Sequence, residues 1–92
     1  MEVFMENIIG SWQKEDTGIV YRFYKSGNLI IHTKEKQVAE SFEIVTKERK
    51  SYLLIGPSKF PFIIMNPGSK VPYFSIATKK GLVCFYRSYT IT

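Results

Sequence analysis

The sequence predicts an all-β chain: an antiparallel up-and-down meander of about eight strands forming a small closed or partly open barrel, led by a short N-terminal helical turn. From Trp12 onward apolar residues alternate with period two, and turn residues recur about every eight to twelve positions. Aromatic residues make up 15% of the chain, with seven Phe, six Tyr and one Trp, a mix suited to pleated, half-buried surfaces. Connections this short favour sequential hairpins over crossovers, and about eight such strands can close and so remove their exposed edges. At 92 residues the chain is read as one domain over 1–92, burying roughly 60% or more of its unfolded surface.

Residues 3–9, "VFMENII", place Val3, Phe4 and Ile8 on one face of a short helical turn that ends at Gly10. "GIVYRFY", "KSGN" and "LIIHT" form the clearest hairpin, with Gly27 and Asn28 suited to positive φ at its tip. In its first strand Ile19, Tyr21 and Phe23 share one face, and Val20, Arg22 and Tyr24 the other. "QVAESFEIVT" puts Val38, Phe42 and Ile44 on one face together with Glu40. Glu40 is either inward and paired with a cation or a Tyr hydroxyl, or turned outward by a bulge. After the charged turn "KERK" come "SYLLIG", "FPFIIMN", "VPYFSIAT" and "LVCFYRSYTIT", the last two joined by the tip Lys79-Lys80-Gly81. Pro61 and Pro72 cannot donate to a ladder, so each belongs at a strand start, an edge or a bulge. The inward residues expected to line a ligand site are Tyr21, Phe23, Phe42, Leu54, Phe74 and Ile76, with the alternate phase open on any strand.

A helical turn, then "GSW" opening the first strand, then "YRFYKSGNLII" resembles the start of the lipocalin-like calycin barrels, particularly the compact bacterial lipocalin-like domains. The resemblance implies that a first-strand Trp packs across the closed end of the barrel beneath a cation from the last strand. Trp12 matches the first part, and Arg87 in "CFYRSYT" matches the second. It also implies a non-enzymatic barrel that binds a small apolar or amphipathic molecule.

Residues 1–48 hold all eight acidic residues beside six basic ones, whereas residues 49–92 hold seven basic residues and no acidic one. A half so charged either attracts an anion, with Lys50, Lys59 and Lys70 the expected contributors, or simply carries lysines at turns and edges that keep its strands soluble. His32 and Cys84 are the sole residues of their kinds, so no zinc-spaced cluster and no Cys/His pair is in evidence. His32 is expected to be exposed and Cys84 to fill the core. Glu40 and Glu43 fall on opposite strand faces, which argues against a carboxylate pair. "GPSKFP" and "NPGSK" lack the spacing of a phosphate loop, so no cofactor and no enzymatic activity are expected. Aromatics interleaved with lysines occur in any small barrel, so the basic half is not taken for a nucleic-acid groove. The alternative function is a protein-interaction module that presents the cationic face or an edge strand to a partner or to a second copy. No apolar run is long enough to span a bilayer, and a single Cys without a leader-like start points to the cytoplasm, although a leader removed before Met1 stays open.

Overall fold

A computed structural model describes residues 2–88. A single helical turn, α1 (Met5–Ile8), precedes the strands β1 (Gly10–Lys14), β2 (Val20–Phe23), β3 (Asn28–His32), β4 (Gln37–Lys47), β5 (Lys50–Ile55), β6 (Ser58–Asn66), β7 (Tyr73–Thr78) and β8 (Gly81–Arg87). Each strand pairs antiparallel with its neighbours in sequence, and β1 pairs with β8, so the meander closes into an eight-stranded barrel. The part of the last predicted strand beyond Ser88 lies outside the described residues. Among the described residues, no helix is long and apolar enough to cross a membrane.

Closure on so few residues requires the long strands to serve two partners in succession. Residues 37–41 of β4 pair with β3, and residues 42–47 pair with β5. Similarly, β6 pairs with β5 through Ser58–Pro61 and with β7 from Phe62 onward. Pro61 therefore sits at the exchange point, one residue before a bulge that shifts the β6–β7 register between Phe62 and Ile64. A residue with no N–H is tolerated at such a place because the ladder is already interrupted there. Pro72 stands just before β7, where its carbonyl accepts from Arg87 N at 2.9 Å.

Inward positions of the strands meet in one core: Trp12, Phe23, Leu29, Phe42, Leu53, Phe62, Phe74, Ile76 and Phe85, capped by Val3 and Ile8. Edge-to-face and stacked rings run through it, from Trp12 to Phe74 at 4.7 Å, Phe74 to Phe85 at 4.9 Å, Phe85 to Tyr21 at 4.9 Å and Phe23 to Phe42 at 4.9 Å. Such ring pairs add roughly 0.5–1.5 kcal/mol each beyond the area they bury.

Several local expectations are corrected by this register. On β5 the inward residue is Leu53, with no exposed surface, whereas Leu54 faces out between Glu43 and Lys59. Glu40 keeps the phase of Phe42 without any bulge, yet it is exposed, because β4 leaves β3 at Ser41 and carries Glu40 to the rim beside the Gly56 turn. Neither an inward partner nor a bulge is needed to keep this carboxylate hydrated. At the β2–β3 turn only Gly27 adopts positive φ, +92°, and Asn28 begins β3 instead. Cys84 lies half-buried on the outer wall beside Glu15, out of phase with the core residue Phe85. Burial and the neighbouring Glu15 carboxylate push its thiol up.

The β4–β5 hairpin is built against local preference. Glu48 and Arg49 both take left-handed φ, +53° and +68°, in a two-residue turn where Asn-Gly is the usual solution. Immediately behind them Lys47 and Lys50 are direct cross-strand partners. Like charges so opposed are destabilising, and left-handed conformations at residues with side chains cost energy as well. What holds the hairpin is the next pair inward, Thr46 and Ser51, whose hydroxyls are 2.8 Å apart, with Ser51 buried.

Candidate functional site

One end of the barrel is sealed by the first residues of the chain. Val3 and Ile8 are buried over the core, and Val3 N donates to Ser51 Oγ at 2.8 Å, tying α1 to the start of β5. Phe4 N donates to Asn7 Oδ1 at 2.9 Å, which closes the single helical turn. Trp12 is fully buried beneath this plug and donates its indole N–H to Ile8 O at 2.7 Å, satisfying the one polar atom of its ring.

Trp12 and Arg87 are cross-strand partners in the β1–β8 pairing that closes the ring. The Arg87 guanidinium carbon lies 3.9 Å from the Trp12 ring centroid, and Arg87 Nη1 donates to Ile9 O at 2.9 Å. Indole face, guanidinium and helix-end carbonyl thus form one stack across the seam. Gly10 makes room for it: its φ is +118°, and a Cβ there would run into the guanidinium. The Gly-x-Trp spacing follows from this geometry, since the residue two before Trp12 on the same strand face must leave space for the cation.

The inward candidates divide. Phe23, Phe42, Phe74 and Ile76 are buried, and Tyr21 is half-buried against Phe85, with its hydroxyl pushed up by burial. Leu54 does not join them. These side chains pack on one another and fill the barrel, as expected for a ring of eight strands with short walls.

An open recess lies at the opposite end. Strand β1 runs from the plug at Gly10 to Lys14, and β8 runs back from Gly81 to Arg87, so Lys14 and the Lys79-Lys80 tip share the mouth. Here a recess of about 680 Å³, open to solvent, is lined by Lys14, Ser58, Lys59, Phe60, Ala77, Thr78, Lys79, Lys80 and Val83. Lys14, Phe60, Thr78 and Val83 continue the inward phases of β1, β6, β7 and β8, so the recess is the outermost layer of the barrel interior. Thr78 fixes the tip by donating to Gly81 O at 2.9 Å and accepting from Lys80 N at 3.2 Å.

Four ammonium groups border this recess and no carboxylate lines it. Lys59 leans to the outer wall, with Nζ 4.4 Å from the Tyr52 ring centroid, which leaves Lys14, Lys79 and Lys80 as the cations most committed to the mouth. Like charges around a concave, partly apolar surface focus a positive potential that an anion relieves. Of the expected contributors, Lys50 and Lys70 are not part of this recess. Lys14 was missed although its phase is legible, because period two from Trp12 puts it inward at the end of its strand. Among the described residues, no group of three His, Cys, Asp or Glu is placed to hold a metal ion.

Fold and site together define a closed eight-stranded antiparallel barrel with one end plugged and a cationic mouth at the other. No family model matches the chain, and comparisons with curated proteins and with solved structures gave no match.

Proposed function

We propose that the protein is a non-enzymatic, lipocalin-like barrel that binds a small anionic amphiphile at its mouth, with the head group among Lys14, Lys79 and Lys80 and the apolar part on Phe60, Ala77 and Val83. The supporting observation is the recess itself, where an apolar floor continuous with the core meets several cations and no carboxylate. The filled interior favours a ligand whose apolar part is short, since deeper entry would have to displace packed aromatic rings. The single cysteine is compatible with a reducing compartment such as the cytoplasm. The ring closes with each strand beside two neighbours, which limits partner pairing by β-addition to stretches such as residues 43–47 of β4, paired with β5 alone.

Calorimetric titration of decanoate and of decanol, at low and high salt, tests the proposal. Wild type is expected to favour the carboxylate by roughly tenfold or more at low salt, a margin that corresponds to about 1.4 kcal/mol. That preference should shrink as salt screens charges over roughly 8–10 Å, and should vanish in a Lys14→Gln, Lys79→Gln, Lys80→Gln variant. Equal affinity for acid and alcohol, unmoved by salt or by the substitutions, would contradict the proposal.

A further inference from the structure

The outer wall of β4, β5 and β6 carries a second cationic surface, whose recess shares no lining residue with the mouth. Its upper edge is the hairpin that pairs Lys47 with Lys50 behind the left-handed Glu48-Arg49 turn. Next to Lys50, a recess shared with Tyr52, Pro61 and Ile63 marks where the hairpin meets the β6 bulge. The extra residue of the bulge lets two consecutive aliphatic side chains reach water, with Ile63 42% and Ile64 39% exposed. Two features that folding alone disfavours, opposed lysines on a strained turn and an exposed isoleucine pair, therefore occupy one surface.

We infer that this surface docks the protein onto an anionic lipid bilayer, with Ile63 and Ile64 entering the headgroup boundary and Lys47 and Lys50 facing the lipid phosphates. A bilayer supplies both halves of what the surface presents: an apolar layer for an exposed aliphatic pair and negative charge around it. A second copy of the chain would set lysine against lysine. A protein partner would have to bring an acidic surface with an apolar centre, an outcome that the test below separates from a bilayer. Two carboxylates share the wall: Glu48 at the hairpin tip and Glu43 across from Leu54. Removing the lysines should therefore cancel the net positive charge of the surface, because Arg49 at the tip and Lys59 over Tyr52 then only balance the two carboxylates.

Sedimentation of the full chain with vesicles of phosphatidylcholine alone, or of phosphatidylcholine with phosphatidylglycerol, tests the inference. Binding is expected only to the anionic vesicles, weakening as salt rises. Lys47→Gln with Lys50→Gln, and separately Ile63→Ser with Ile64→Ser, should each reduce partitioning roughly tenfold or more while leaving the melting temperature unchanged or higher. The triple glutamine variant of the mouth should still bind vesicles, which separates this surface from the ligand site. Absence of binding to anionic vesicles at low salt, or equal binding by folded variants of this surface, would overturn the inference. So would capture of an acidic protein through the same residues without vesicle binding.

Discussion

Trp12→Ala is expected to cost about 3–5 kcal/mol, the range for removing a fully buried large ring from a packed core. The loss has several parts. The indole is fully buried, its ring centroid is 4.7 Å from that of Phe74, its N–H is satisfied by Ile8 O at 2.7 Å, and its face carries the Arg87 guanidinium at 3.9 Å. Truncation to Ala opens a cavity beneath α1 and leaves the guanidinium over a void, at the one strand pairing that closes the ring. Because small domains are stable by only about 5–15 kcal/mol, the variant should be near the limit of folding. Urea denaturation with a backbone probe measures the effect, and wild-type fluorescence should show the blue-shifted maximum of a buried indole. A loss below about 1 kcal/mol would mean that the seam does not hold the barrel closed.

Leu53→Ala and Leu54→Ala are expected to differ sharply. Leu53 is fully enclosed in the core, so its truncation should cost about 2–5 kcal/mol. Leu54 faces out between Glu43 and Lys59, and its truncation should stay within roughly 1 kcal/mol. Paired thermal melts of the two variants decide the matter, since about 1 kcal/mol corresponds to roughly 4–8 °C in a domain of this size. Reversal of the order would place β5 in the opposite phase and shift every side chain on it to the other face.

The same pair shows where sequence stops being legible. In "SYLLIG" both candidate faces are apolar, so alternation carries no phase, and only the cross-strand registers with β4 and β6 choose Leu53. By contrast, "VYRF" and "YFSIAT" separate small or polar from bulky residues and declare their inward faces, Phe23 on one and Phe74 with Ile76 on the other. The pairing of Trp12 with Arg87 followed from the resemblance to lipocalin-like barrels that the Gly-x-Trp start carries, with Arg87 the lone arginine of "CFYRSYT". Glu40 was ambiguous because alternation assumes a strand with one partner throughout, whereas β4 exchanges β3 for β5 one residue later. The cationic mouth was only half legible for a related reason. A basic second half is visible in composition, but Lys14 comes from the acidic half and joins Lys79 and Lys80 only when β1 closes against β8.

The central claim is that ligand space lies at the mouth and not within the filled barrel, and the most direct measurement is an amide chemical-shift map of the labelled protein titrated with decanoate. Shifts are expected at Lys14, Phe60, Ala77–Lys80 and Val83, with Trp12, Phe23 and Phe42 unmoved. Shifts centred on the Trp12 end, or spread through the aromatic core while the mouth stays silent, would contradict the claim.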